Sequence, residues 1–123
     1  IFQRRLVNVP AVLAPARLAT PVDIVGSWAG ADARLLDASR ESGACGVVVA
    51  AMGRGNLPPD MVPGIERWLA AGRPVVIASR AGRGHVGRTY AYPGGGRKLH
   101  DLGALFAGVL RPPQARIELM LAL

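Results

Sequence analysis

A chain of 123 residues that is half hydrophobic, with a mean hydropathy of +0.27, has the makings of one domain with its own core and is not disordered. No apolar run approaches the roughly 20 residues needed to span a bilayer, so no membrane partner is expected. The net charge of +7 raises nucleic-acid binding, but the basic residues, all arginine except Lys98, are strung from Arg4 to Arg116 and not along one helix face; no nucleic-acid partner is expected.

Residues 1–21 mix Phe2, Leu6, Val7, Val9, Val12 and Leu13 with Pro10, Pro15 and Pro21 and keep no sustained period. Prolines at that density stop a long helix and confine a strand to an edge. The segment reads as the end of an amino-terminal domain and a linker, with the main domain over residues 22–123. Val22–Trp28 is a first strand. A helix from Asp32 to about Ser42 follows, with Ala31, Leu35, Ala38 and Ser42 as its stripe, Leu36 beside it, and Gly43 as its stop.

Val47, Val48, Val49 and Ala50 run without polar alternation, as in a parallel strand covered on both faces. The loop Gly53-Arg54-Gly55-Asn56 comes next. Pro58, Pro59 and Asp60 then open a helix on which Met61, Ile65, Trp68 and Leu69 share a stripe, ended by Gly72. Pro74–Ser79 is a third buried strand. The excursion Gly82–Gly96 is too rich in glycine for a helix and reads as a surface loop or loose hairpin. Ala104–Ala107 is a short fourth strand, and Pro112 and Pro113 open a last helix with Ile117, Met120 and Leu121 facing inward. The fold class is α/β: a small three-layer, Rossmann-like domain with a parallel sheet of about four strands flanked by helices.

Open parallel sheets bind ligands outside the carboxyl ends of their strands. Gly55 and Asn56 after the second strand, with Ser79 and Arg80 after the third, therefore form a candidate half-site. Asn56 could equally cap the helix that follows. Gly82-Arg-Gly-His-Val-Gly87 has dinucleotide-type glycine spacing in the wrong place, since it neither opens a helix nor lies in the first turn after a strand. His85, His100 and Cys45 have no metal-ligand spacing, and Cys45 reads as a small core residue. No cofactor, no metal and no catalytic set are expected from these residues.

Val22-Asp-Ile-Val, Gly46-Val-Val-Val-Ala, Gly53-Arg-Gly-Asn-Leu-Pro-Pro59, Pro74-Val-Val-Ile-Ala-Ser-Arg80, Tyr92-Pro-Gly-Gly-Gly96 and Gly103-Ala-Leu-Phe-Ala-Gly108 occur in that order. Together they resemble the carboxyl-terminal domain of bacterial-type L-asparaginases over about residues 22–123. The resemblance implies a parent enzyme that hydrolyses L-asparagine to L-aspartate and ammonia, as a homodimer or homotetramer in which this domain completes a neighbouring subunit's site. It also implies that the catalytic threonines lie in the amino-terminal domain; Thr20 and Thr89 match neither nucleophile motif, so the fragment alone is expected to be inactive. Asn56 matches the family's substrate-side asparagine. Many members add a carboxylate from the segment after the third strand, whereas Ala81 to His100 here contain no Asp or Glu. A cytoplasmic location is expected unless the preceding part carried a signal peptide. The competing expectation is a non-enzymatic α/β ligand-binding or dimerisation module that kept the loop and lost the chemistry.

Overall fold

The computed structural model describes residues 17–123; the expectation for residues 1–16 lies outside them. In chain order the elements are β1 (Val22–Gly26), α1 (Arg34–Glu41), β2 (Gly46–Ala51), a 3₁₀ turn (Pro59–Met61), α2 (Val62–Ala70), β3 (Val75–Ser79), α3 (Gly96–Asp101), β4 (Leu105–Phe106) and α4 (Pro112–Ala122). The four strands form one parallel sheet in the order β1-β2-β3-β4. Each crossover steps to the next strand in the same direction, and a constant hand of crossover then puts the connecting helices on one face. Val47, Val49, Ala51, Val75 and Ile77 on that face form one core with Leu36 of α1, Ile65 and Trp68 of α2 and Leu99 of α3. Val22, Val48, Val76 and Ala78 pack the opposite face against Ala115, Leu119 and Met120 of α4. The three-layer α/β architecture expected from the unbroken valine run is present.

Trp68 is fully buried, and its indole N–H donates to the Leu36 carbonyl oxygen at 2.8 Å, so the largest side chain of the core also pins α2 to α1. A Cβ at Gly64 would stand 3.0 Å from Ala33 Cβ and Leu36 Cδ1, which is how closely the two helices approach. On their outer side Arg67 grips Asp37 with both nitrogens of its fork, Nε at 2.8 Å and Nη2 at 2.6 Å. The hydrogen bonds from Arg67, with its nearby charge, hold the Asp37 carboxyl below its ordinary range against a smaller opposing effect of burial.

Several inward faces differ from the expected ones. On α1, Leu35 and Ala38 are exposed while Leu36 and Ser39 face the interior, because Leu36 seats under Trp68 and the Ser39 hydroxyl donates to Asp23 Oδ2 at 2.6 Å. On α4, Ile117 is exposed; Ala115 and Leu119 replace it on the buried stripe with Met120. Small residues at that contact bring α4 onto the sheet so tightly that a Cβ at Gly46 would lie 2.9 Å from Leu119 Cδ2. Cys45 is only partly buried, with its thiol donating to the Pro21 carbonyl oxygen. Helix α3 has no counterpart in the sequence reading. It places His100 on a helix, edge-on to Phe106 with ring centres 5.6 Å apart.

Candidate functional site at the carboxyl edge of the sheet

β2 and β3 are level at their carboxyl ends, Ala51 opposite Ser79, so the loops that follow start side by side. After β2 the chain folds straight back. The Met52 N–H donates to the Asn56 carbonyl at 3.0 Å, and the Asn56 and Gly55 N–H groups both donate to the Met52 carbonyl, at 2.9 and 3.0 Å. Closing so small a ring takes left-handed backbone at Gly53 (φ +50°) and Gly55 (φ +102°), which glycine adopts without Cβ strain. Gly55 is buried besides, with Val86 and Ile77 side chains occupying the space of a Cβ.

Asn56 is half-buried, and its amide oxygen Oδ1 is shielded from solvent with no hydrogen-bond partner among the described residues. The capping role is not taken up. The 3₁₀ turn and α2 start after Pro58 and Met61, and neither receives a side-chain cap. An unpaired buried acceptor costs the full desolvation of the group, about 1–3 kcal/mol, and tends to persist where a partner arrives from elsewhere.

Ser79 does another job. Its hydroxyl donates a short hydrogen bond to the Gly53 carbonyl and accepts the Ala81 N–H at 3.1 Å, so it fastens the start of one loop to the start of the other. Arg80 is held through its backbone, N–H to the Ala51 carbonyl at 2.9 Å, and sends an exposed side chain outward.

The loop between β3 and α3 is neither loose nor wholly on the surface, contrary to expectation. Gly94, Gly95 and Gly96 are buried, and a Cβ on each would run into a backbone carbonyl, that of Leu57, Tyr90 and Gly87 respectively. The Leu57 N–H donates to the Gly94 carbonyl at 2.8 Å, and the Tyr92 hydroxyl donates to the Leu57 carbonyl at 3.2 Å. Burial pushes the Tyr92 phenol above its ordinary pKa. The Gly87 N–H donates to the Arg54 carbonyl at 3.0 Å, and Arg54 Nη2 donates to His85 Nε2 at 3.1 Å. Two glycine-rich loops thus form one backbone-welded platform with Asn56 inside it. The run of three glycines was the signal for this close approach.

The platform also concentrates charge. Residues 53–56 and 80–97 contain Arg54, Arg80, Arg83, Arg88 and Arg97 and no Asp or Glu. With Arg4 and Arg5 in the first sixteen residues, the rest of the chain balances eight cations against all eight acids. Ion pairs follow the same division. Arg34–Asp32, Arg40–Glu41, Arg67–Asp37 and His100–Asp101 lie outside the platform, and its five arginines have no acidic partner among the described residues. Four of the five fall in the single stretch 80–97, and the contacts of Arg54 with Gly87 and His85 join the fifth to that loop.

Among the described residues no His, Cys, Asp and Glu cluster of three or more is placed to hold a metal ion, and no helix is long and apolar enough to cross a membrane. The platform offers an amide acceptor, exposed guanidinium groups and aimed backbone, an arrangement suited to binding and orienting a polar molecule.

The family model described as the glutaminase/asparaginase C-terminal domain matches residues 21–123. A probable L-asparaginase of Deinococcus radiodurans is 38% identical over 109 residues, 89% of this chain and 33% of that protein. One polypeptide of the glutamyl-tRNA(Gln) amidotransferase of Pyrococcus furiosus is 32% identical over 105 residues, 85% of this chain and 23% of its own length. Among solved structures, the crystal structure of a probable cytoplasmic L-asparaginase from Campylobacter jejuni superposes with a TM-score of 0.72 at 31% identity, covering 85% of this chain and 30% of that one. The chain spans a third or less of the length of each of these relatives.

Proposed function

The chain belongs to the glutaminase/asparaginase family, as its carboxyl-terminal domain, and from that premise we propose that it is the substrate-positioning half of an L-asparaginase site whose nucleophile lies elsewhere in a longer parent. Residues 1–21 close the amino-terminal domain and link it to the domain of residues 22–123. The parent is a cytoplasmic homodimer or homotetramer in which this platform faces a neighbouring subunit's catalytic residues. Water adds across the side-chain amide C–N bond of L-asparagine, giving L-aspartate and ammonia. The nucleophile and oxyanion donors come from the amino-terminal domain; this half fixes where the substrate sits, a contribution to orientation.

The observation that carries the reading is the unpartnered Asn56 Oδ1. An amide oxygen accepts only, so the group it awaits is a donor: the substrate's amide N–H, or a hydroxyl of the neighbouring site. Gly55 supports it by setting the turn, Ser79 by holding Gly53, and Arg80 by adding positive charge at the rim.

The test is ammonia release from L-asparagine by this chain, by a separately produced amino-terminal asparaginase domain, and by the two combined. Activity is expected only in the combination, and Asn56→Ala should lower it about 10- to 100-fold, the loss of one positioning hydrogen bond to a charged or reacting group. Full activity of an assembled Asn56→Ala mixture would sink the positioning role. No activity in a mixture shown to assemble would sink the asparaginase reading.

A further inference from the structure

A platform bearing five arginines and no carboxylate, with none of the five ion-paired among the described residues, repels cations and attracts anions at the place where the site closes. Asparagine carries one group of each kind, an α-ammonium and an α-carboxylate. Resting on the function proposed above, we propose that this chain reads the substrate's carboxylate and not its amine, with Arg54 as the residue that sets that preference.

Arg54 is singled out by geometry among the five. It lies two residues from Asn56 on the same closed turn, between the two left-handed glycines that fix its backbone. Its guanidinium is exposed but not free to wander. Nη2 is held by His85 Nε2 at 3.1 Å and lies over Gly87, where a Cβ would stand 3.0 Å away. One nitrogen is thereby committed to orientation, and the remaining N–H groups of a planar fork are left to meet a carboxylate. A guanidinium already restrained loses less side-chain entropy on binding, which favours a recognition role over a solvated surface charge.

The consequence is a substrate class. The site accepts β-amides that keep a carboxylate whether or not they carry an amine, and discriminates against those whose carboxylate is blocked. The experiment uses the full-length parent enzyme with L-asparagine, succinamate (carboxylate kept, amine absent) and L-asparaginamide (amine kept, carboxylate blocked). The expected result is succinamate turned over with kcat/KM within about tenfold of L-asparagine and asparaginamide at least tenfold worse. Arg54→Ala should raise KM for L-asparagine and succinamate about 10- to 100-fold with kcat little changed, the signature of a lost binding contact. It should leave asparaginamide unaffected, and Arg54→Lys should restore part of the KM. An equal loss on all three substrates, a loss in kcat with KM unchanged, or no change at all would overturn the proposal. So would tight, steeply salt-dependent binding of a single-stranded RNA oligonucleotide that Arg54→Ala abolishes while KM stays fixed, since that would assign the charge to a polyanion. A parent inactive on every amide would refute the asparaginase reading itself. An active parent indifferent to Arg54 would refute only this inference.

Discussion

The helix-covered side of the sheet and the loops at its carboxyl edge obey opposite rules. Between α1, α2 and the sheet, stability comes from large apolar side chains, every described charge pair has its acid and base, and the buried indole N–H is satisfied. At the edge, side chains give way to backbone. Three consecutive glycines allow one loop to lie against another, arginines are unpaired among the described residues and a buried amide oxygen has no partner there. The difference teaches where to look for function in this domain. The helix-covered half satisfies its indole N–H and pairs Arg67 with Asp37, leaving Arg40 Nε as its one buried polar side-chain atom without a partner among the described residues. The edge keeps a buried amide oxygen and five arginines without acidic partners there, on loops joined by backbone and by Ser79 and Tyr92.

Substitutions in the two regions should therefore fail differently. Trp68→Ala removes the largest buried side chain and the α1–α2 pin, and should cost about 3–5 kcal/mol in denaturant unfolding of this chain. In a folded parent at low temperature, however, it should leave KM close to unchanged. Gly94→Ala puts a methyl group onto the Leu57 carbonyl; overpacking of this sort costs about 1–3 kcal/mol. Its larger effect should be on activity, because Leu57 adjoins Asn56. Gly82→Ala, with open space around its Cβ, is the control and should stay within about 0.5 kcal/mol. A Gly94→Ala variant as stable and active as Gly82→Ala would break the idea that the loops are welded through backbone.

Ser79→Ala strips the Gly53 carbonyl and the Ala81 N–H of their shared partner and should cost about 1–2 kcal/mol, with KM rising as the turn that carries Asn56 loosens. The smallest effect belongs to the Arg67–Asp37 fork. The Asp37 pKa is lower in the folded chain than its ordinary 3.8, so the fork's contribution is complete above 3.8 and is lost as pH falls from there through the folded value. A wild-type chain should therefore lose part of its advantage over Arg67→Ala in melting temperature between neutral and strongly acidic pH. An unchanging gap between the two would show that the fork contributes by packing alone.

Much of this architecture could be read from residue order. The apolar run Val47–Ala50 names a strand covered on both faces, Met61, Ile65 and Trp68 fall on the stripe that is buried, and the glycines around Arg54 mark the turn that closes the site. These are local signals: a period or a left-handed backbone requirement is expressed within a few residues. Helix α3 was not legible, because six residues after a glycine run hold as a helix only once Leu99 is buried and His100 meets Phe106. Nor could the sequence choose between Leu35 and Leu36 on α1 or place Ile117 outward on α4, since adjacent positions differ only by where the sheet stands.

At the site, the sequence by itself supplied Asn56 and its neighbours and the absence of acids after β3. Only the tertiary structure decided that Asn56 caps nothing, that Ser79 serves the loops, and that Arg54 joins the arginine-bearing loop through His85 and Gly87. The physical reason is that the strand pattern sets two loops side by side, as expected for residues 53–56 and 79–80, whereas which groups of those loops bond depends on distances in space that no local pattern encodes.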